Sequence, residues 1–132
     1  MATRTLEVTG PLAPGAVWER YAVPGSWPDW LPQITRVDLS TPRIAAGSRG
    51  KLHAPMGVAV PFTVDSVDDE ARRWSWTVRV GLLRLRLEHW VDDAPDGGTT
   101  TGMRVGGPGP LVAAYAGRAQ AALERLVGSS PA

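Results

Sequence analysis

Trp27-Pro28-Asp29-Trp30-Leu31-Pro32 is the stretch of this 132-residue chain from which its fold can be read. Two indoles three residues apart, bracketed by prolines, make a poor surface loop, because each removes roughly 200 Å² from water when buried. They must fold back over something apolar. A strand and a short helix precede the corner; six strand-like segments and one long C-terminal helix follow it. That order suggests a sheet gripping a helix around an interior pocket.

Upstream, Thr3–Thr9 alternates and is rich in Thr, Leu and Val, a first strand closed by Gly10-Pro11. Residues 14–22 read as a helix with Pro14 near its first position, where the missing N–H costs nothing. Val17, Trp18 and Tyr21 share one face of it, and Glu19 and Arg20 are left to solvent. Pro24-Gly25 breaks it. Ser26 stands where an N-cap belongs for a second short turn, Trp27–Leu31, which Pro32 stops.

Downstream, Ile34–Leu39, Gly50–Ala54, Val58–Val67, Arg72–Val80, Leu82–Asp92 and Thr99–Gly106 read as strands. The links between the later ones are short and rich in Gly, Pro and Asp, so pairing is antiparallel; a parallel crossover needs a dozen or more residues. Alternation assigns the faces. In Arg73–Val80 the even positions are apolar; in Leu83–His89, Leu83, Leu85 and Leu87 point inward and Arg84, Arg86 and Glu88 outward. The same period puts His89 inside and Trp90 outside. Thr101, Met103 and Val105 oppose Arg104, and Phe62 and Val64 oppose Thr63 and Asp65. One side of the sheet is apolar, and only the helix Leu111–Val127 is long enough to cover it. The middle of that helix is small-sided, with Ala113, Ala114, Ala116, Gly117, Ala119, Ala121 and Ala122. Such a surface permits either close packing on the sheet or an unfilled space. Ser129–Ala132 reads as a tail.

The whole chain, residues 1–132, has the length of one domain. A hydrophobic fraction of 43% with 20% charged residues is ordinary for a globular protein in water. The net charge of +1 argues against a nucleic-acid partner, which normally meets a basic face. The absence of cysteine excludes disulfides, thiolate metal sites and thiol nucleophiles. No apolar run approaches the length that spans a bilayer, and the first residues lack the apolar core of a secretory signal, so a cytoplasmic location and no membrane partner are expected.

The ensemble resembles the START/Bet v 1-like (SRPBCC) superfamily, in its polyketide cyclase/dehydratase-like branch. The residues that carry the likeness are the first strand, Ala16-Val17-Trp18, the Trp27–Pro32 corner, and Gly47 and Gly50 before a strand. Arg73-Trp74-Ser75-Trp76, Leu87-Glu88-His89, Gly97-Gly98-Thr99 and the Gly-Pro entry to the last helix complete them. The likeness runs over roughly residues 3–127 and lies in order and spacing, since no single motif is diagnostic. It implies an α+β helix-grip fold: a curved antiparallel sheet of about seven strands, in β-α-α-β6-α order, wrapped around the C-terminal helix with a cavity between. It also implies a hydrophobic small-molecule ligand, aromatic or polyketide-like, with its cyclisation or dehydration by acid–base chemistry as the expected activity and a non-catalytic carrier or sensor on the same fold as the alternative.

Three residues are candidates for chemistry. His89 can exchange a proton near neutral pH, as aldol-type cyclisation and dehydration require, or it is a hydrogen-bonded core histidine. Tyr115 can donate its hydroxyl to a developing enolate oxygen, or it packs. Asp29 is a helix-start carboxylate in solvent or one at the pocket mouth. Trp27, Trp30, Phe62, Trp74, Trp76, Leu85, Leu87, Met103 and Ala119 are the expected ligand-binding surface. No phosphate loop, G-x-S-x-G elbow or dinucleotide fingerprint is present. His53 and His89 fall on opposite faces, so neither a metal nor another cofactor is expected. The protein is expected to be a monomer or a homodimer.

Overall fold

Period-two alternation builds the strands β1 (Ala2–Gly10), β2 (Arg36–Leu39), β3 (Arg49–His53), β4 (Ala59–Asp68), β5 (Arg73–Val80), β6 (Leu83–Asp93) and β7 (Thr99–Gly107). The helices are α1 (Pro14–Ala22), α2 (Trp27–Trp30) and α3 (Gly109–Leu126). These come from a computed structural model that describes residues 1–128; the tail expected at Ser129–Ala132 lies outside the described residues. All seven strands pair antiparallel in the order β1-β7-β6-β5-β4-β3-β2. This is the expected element order, and the boundaries differ from the sequence reading by a residue or two.

The sheet is bent where β4 carries one extra residue. Val64 faces Trp76 and Ser66 faces Ser75, so Asp65 is the extra residue with no opposite number in the β4–β5 register. A bulge of this kind increases local twist and curls a strand around what it covers. On the inner face Phe62, Val64, Trp74, Trp76, Val78, Leu85, Leu87, Val91, Met103 and Val105 are buried. Arg104 is exposed on the outer face, where the Trp90 indole lies over Gly102; a Cβ on that glycine would come within 2.3 Å of the ring.

Three local expectations are corrected. Ser26 does not cap α2: its hydroxyl turns back toward the carbonyls of Arg20 and Val23, at 2.9 and 2.8 Å, and so secures the end of α1. Leu83 and Val80 have inward parity yet are 46% and 38% exposed. They form the last pair before the Gly81-Leu82 turn, and Val80 borders the cavity rather than packing against α3. The small residues of α3 are also divided: Ala116, Ala119 and Ala122 are buried, while Ala113, Gly117 and Ala121 face solvent.

α3 packs mainly on β1 and β7. Its C-terminal end is tied down by the Leu12 N–H, which donates to the Val127 carbonyl at 3.2 Å. Close packing at that end, with Leu123, Leu126 and Val127 buried, contrasts with the other end, where the helix stands off β3–β6.

Candidate functional site

The half of the interior beneath α1 and α2 is filled with rings. Tyr21, from the buried face of α1, has Trp30, Trp74 and His89 around it at centroid distances of 5.5, 5.6 and 5.0 Å. Trp27 packs on Trp30, Phe62, Trp74 and Trp76, and its Nε1–H donates to the Tyr21 carbonyl at 2.9 Å. The prolines beside Trp27 and Trp30 fix the turn that delivers both indoles inward, as the corner required. Thr101 donates to the Trp90 carbonyl at 2.7 Å, so its oxygen is left to accept from the Tyr21 hydroxyl 3.2 Å away. Burial raises the Tyr21 phenol well above its ordinary range, and the hydrogen bond to Thr101 offsets only part of that.

His89 belongs to this ring cluster. It is 5% exposed and stacks on Trp74 at 4.8 Å with 15° between the planes. Trp76 Nε1–H donates to His89 Nε2 at 2.9 Å. An indole can only donate, so Nε2 carries the lone pair and the neutral ring holds its proton on Nδ1. Desolvation pushes the imidazole down to about 3. His89 Nδ1, Trp30 Nε1 and Trp74 Nε1 are buried without a hydrogen-bond partner among the described residues.

The other half holds a cavity of about 400 Å³. One wall is α3, through Leu111, Ala114, Tyr115, Arg118 and Ala119. The opposite wall comes from Leu52 of β3, Val60 of β4, Trp76 and Val78 of β5, and Leu85 and Leu87 of β6. Leu31, Gln33 and Ile34, just past the aromatic corner, and Val58 and Val80, beside two hairpin turns, complete the rim. Tyr115 makes no hydrogen bond with the described residues, and burial pushes its phenol up to about 12. It therefore stays protonated and offers a hydrogen bond to an oxygen in the cavity. Arg118, one helical turn on, is exposed at the mouth and makes no ion pair among the described residues. Trp76 divides the two halves. It shows its ring to the cavity and its N–H to His89.

Of the residues singled out by sequence, Trp76, Leu85, Leu87, Tyr115 and Ala119 line the cavity. Trp27, Trp30, Phe62, Trp74, Met103 and His89 are buried in the packed half, and Asp29 is exposed in the first turn of α2. Leu52, Val60 and Val78 were legible but unclaimed, because each shares its strand's inward parity. Leu31, Gln33 and Ile34 carry no period and gave no signal beyond their nearness to the corner. His53 lies on the outer face, its Nε2 2.7 Å from Asp38 Oδ2, and that bond holds the Asp38 carboxyl below the usual carboxylate range. A second hollow, of about 620 Å³, opens on the outer face among Arg49, Lys51, Arg79 and Asp38. Its charged rim suits an apolar ligand less well.

Solved structures share this architecture. Ara h 8.0201 superposes with a TM-score of 0.77 at 19% identity, over 96% of this chain and 95% of that one. An uncharacterised protein from Bacillus thuringiensis gives 0.79 at 17% identity, over 96% of each chain. A hypothetical protein from Helicobacter pylori gives 0.77 at 15%, over 98% of this chain and 86% of that one. At these identities the likeness is one of fold. No curated protein matches the chain. No helix among the described residues is long and apolar enough to cross a membrane. The family model described as polyketide cyclase/dehydrase and lipid transport matches residues 1–129, so the chain belongs to that SRPBCC-type family, on a Bet v 1-like helix-grip fold.

Proposed function

We propose that the protein encloses a hydrophobic small molecule, aromatic or polyketide-like, in the cavity between α3 and the sheet, and binds it without covalent change. The observation that carries this reading is the lining. Aliphatic side chains and one indole form it, with Gln33, Arg118 and the Tyr115 hydroxyl as the polar exceptions. About 400 Å³ falls within the ~300–1,000 Å³ of small-molecule sites, where apolar walls supply affinity and a few polar groups fix orientation. The family's description, which joins cyclase chemistry to lipid transport, is compatible with such a binder.

A second reading, cyclisation or dehydration, is favoured by one feature. The unbonded Tyr115 phenol can polarise a ligand carbonyl or donate to an oxygen that develops charge. A general base in the cavity has less support. His89 is not part of the lining, its lone pair is engaged by Trp76, and protonation is pushed to about 3. A base whose conjugate acid is that strong takes little proton from carbon at neutral pH.

The test is titration with an environment-sensitive apolar dye, followed by mass spectrometry of any ligand recovered after incubation. Binding with a Kd in the micromolar range is expected of a modest apolar site, about −8 kcal/mol. Ala119→Trp should remove it while leaving the thermal transition in place. Dye binding that survives Ala119→Trp overturns the assignment to this cavity. A ligand recovered with altered mass replaces binding by catalysis, and loss of that conversion in Tyr115→Phe would tie it to the phenol.

A further inference from the structure

Two turns of this protein share one backbone and differ in what they show to solvent. Ala54-Pro55-Met56-Gly57 joins β3 to β4, and Ala94-Pro95-Asp96-Gly97 joins β6 to β7. Their third residues have φ, ψ of 67°, 28° and 64°, 21°, and each turn is closed by a 2.9 Å hydrogen bond from its first alanine. The left-handed conformation suits Asp, whose short side chain tolerates it, and disfavours a long residue such as Met. The turn itself therefore does not call for methionine. Yet Met56 occupies it with its side chain 99% exposed.

Successive hairpins of an antiparallel meander alternate ends, so the β3–β4 and β5–β6 turns share one end of the sheet. The second apex there is Leu82, fully exposed and flanked by the part-exposed Val80 and Leu83. Immediately behind it Arg79 and Arg84 are directly opposed across the hairpin. Neither makes an ion pair among the described residues. Like charges in that position destabilise a hairpin unless something outside compensates them. The other end is the reverse: its turns and the adjoining strand ends carry Asp68, Asp69, Glu70, Asp93 and Asp96, against Arg72 and Arg73, which pair with Asp93 and Asp92. A single exposed hydrophobe means little. Two apolar apices, that of Leu82 backed by unpaired arginines, at the end away from the acids, make a segregated surface.

We propose that this end docks on an anionic membrane surface. Met56 and Leu82 enter the headgroup boundary, and Arg79 and Arg84 meet lipid phosphates. Convex apices on separate turns suit a fluid phase better than a rigid protein surface, which would need a matching pit for each. The charge separation orients the molecule even though a net charge of +1 would not attract it strongly. Val58 and Val80, beside the two apices, also line the cavity, so its mouth faces the lipid. Docking does not depend on what the cavity holds.

The experiment is flotation of the full chain with phosphatidylcholine vesicles, with and without phosphatidylglycerol. Wild type should bind the anionic vesicles and lose binding as salt rises. Met56→Asn with Leu82→Asn should lower the partition coefficient at least tenfold; the fold is kept because Asn tolerates the left-handed backbone at Met56 and both side chains are exposed. Arg79→Gln with Arg84→Gln should remove most of the preference for phosphatidylglycerol, and Asp96→Asn at the opposite end should change nothing. Wild type that ignores both vesicle types overturns the proposal, as does an apex variant that binds as wild type does. Wild type that ignores vesicles but is held, through Met56 and Leu82, by an immobilised acidic helical peptide would reassign the surface to a protein partner and equally overturn it.

Discussion

Between the same sheet and its covering helices lie two halves with opposite packing. Under α1 and α2, Tyr21, Trp27, Trp30, Phe62, Trp74, Trp76 and His89 touch one another ring on ring. Under the N-terminal half of α3, leucines, valines and alanines leave about 400 Å³ unfilled. Planar rings bring their own surface to the contact and stack until no gap remains. On α3 the cavity wall alternates Ala114 and Ala119 with Leu111, Tyr115 and Arg118, and the alanines leave the space between the longer side chains open. Aromatic richness marks the solid half, and the room for a ligand lies where the side chains are branched or small.

The comparison breaks most visibly at Trp27. It is 1% exposed and meets four rings, so Trp27→Ala leaves a void in the solid half and should cost about 3–5 kcal/mol in chemical denaturation. A large-to-small change on the cavity rim, such as Val80→Ala, should cost well under half of that, because the side chain is already part-exposed. Equal losses at the two sites would mean that the halves are packed alike.

This division also explains what could be read from the chain. Alternation in β5 and β6 identified the buried face, and the proline-bracketed corner placed both indoles inside; these signals are local and hold wherever the face is covered. How far a covering helix stands from a sheet is not local. Ala119 and Ala122 lie three residues apart on the same face of α3 and are the same size, yet Ala119 borders the cavity and Ala122 does not. The difference comes from α3 being anchored at its C-terminal end through Leu12 and Val127 while its N-terminal half stands away. For the same reason alternation put His89 inside without revealing that a neighbouring indole would occupy its lone pair.

His89 gives the next largest effect, and it sharpens the distinction by pH. The unfolded imidazole titrates near ~6.5 and the folded one near about 3, so folding favours the neutral ring. Its contribution is fully present above pH ~6.5 and is lost progressively as the pH falls toward 3, since the unfolded chain takes up a proton the native state refuses. Between pH ~6.5 and ~4 the loss should reach about 2–3 kcal/mol. His89→Gln keeps an acceptor for Trp76 and has no such titration. Its stability should therefore fall less steeply over that interval, as read from urea midpoints at several pH values. Parallel slopes in the two proteins would mean that the imidazole is hydrated and that the ring cluster is not solid.

The smallest effect belongs to Tyr115, on the open side. Its phenol lines the cavity and makes no hydrogen bond with the described residues, so Tyr115→Phe removes no internal contact and should change stability by less than about 0.5 kcal/mol. Tyr21→Phe is the matched change on the closed side. There the hydroxyl is buried against Thr101, and its loss should cost about 1 kcal/mol or more. The two phenols should separate again in binding. A ligand with a carbonyl or hydroxyl oxygen that reaches Tyr115 should bind Tyr115→Phe a fewfold more weakly, while a pure hydrocarbon dye should not distinguish it from wild type. Tyr21→Phe should bind both as wild type does. If Tyr115→Phe destabilises as much as Tyr21→Phe, the hydroxyl has an internal partner, and the cavity then has no free polar anchor on α3 except Arg118.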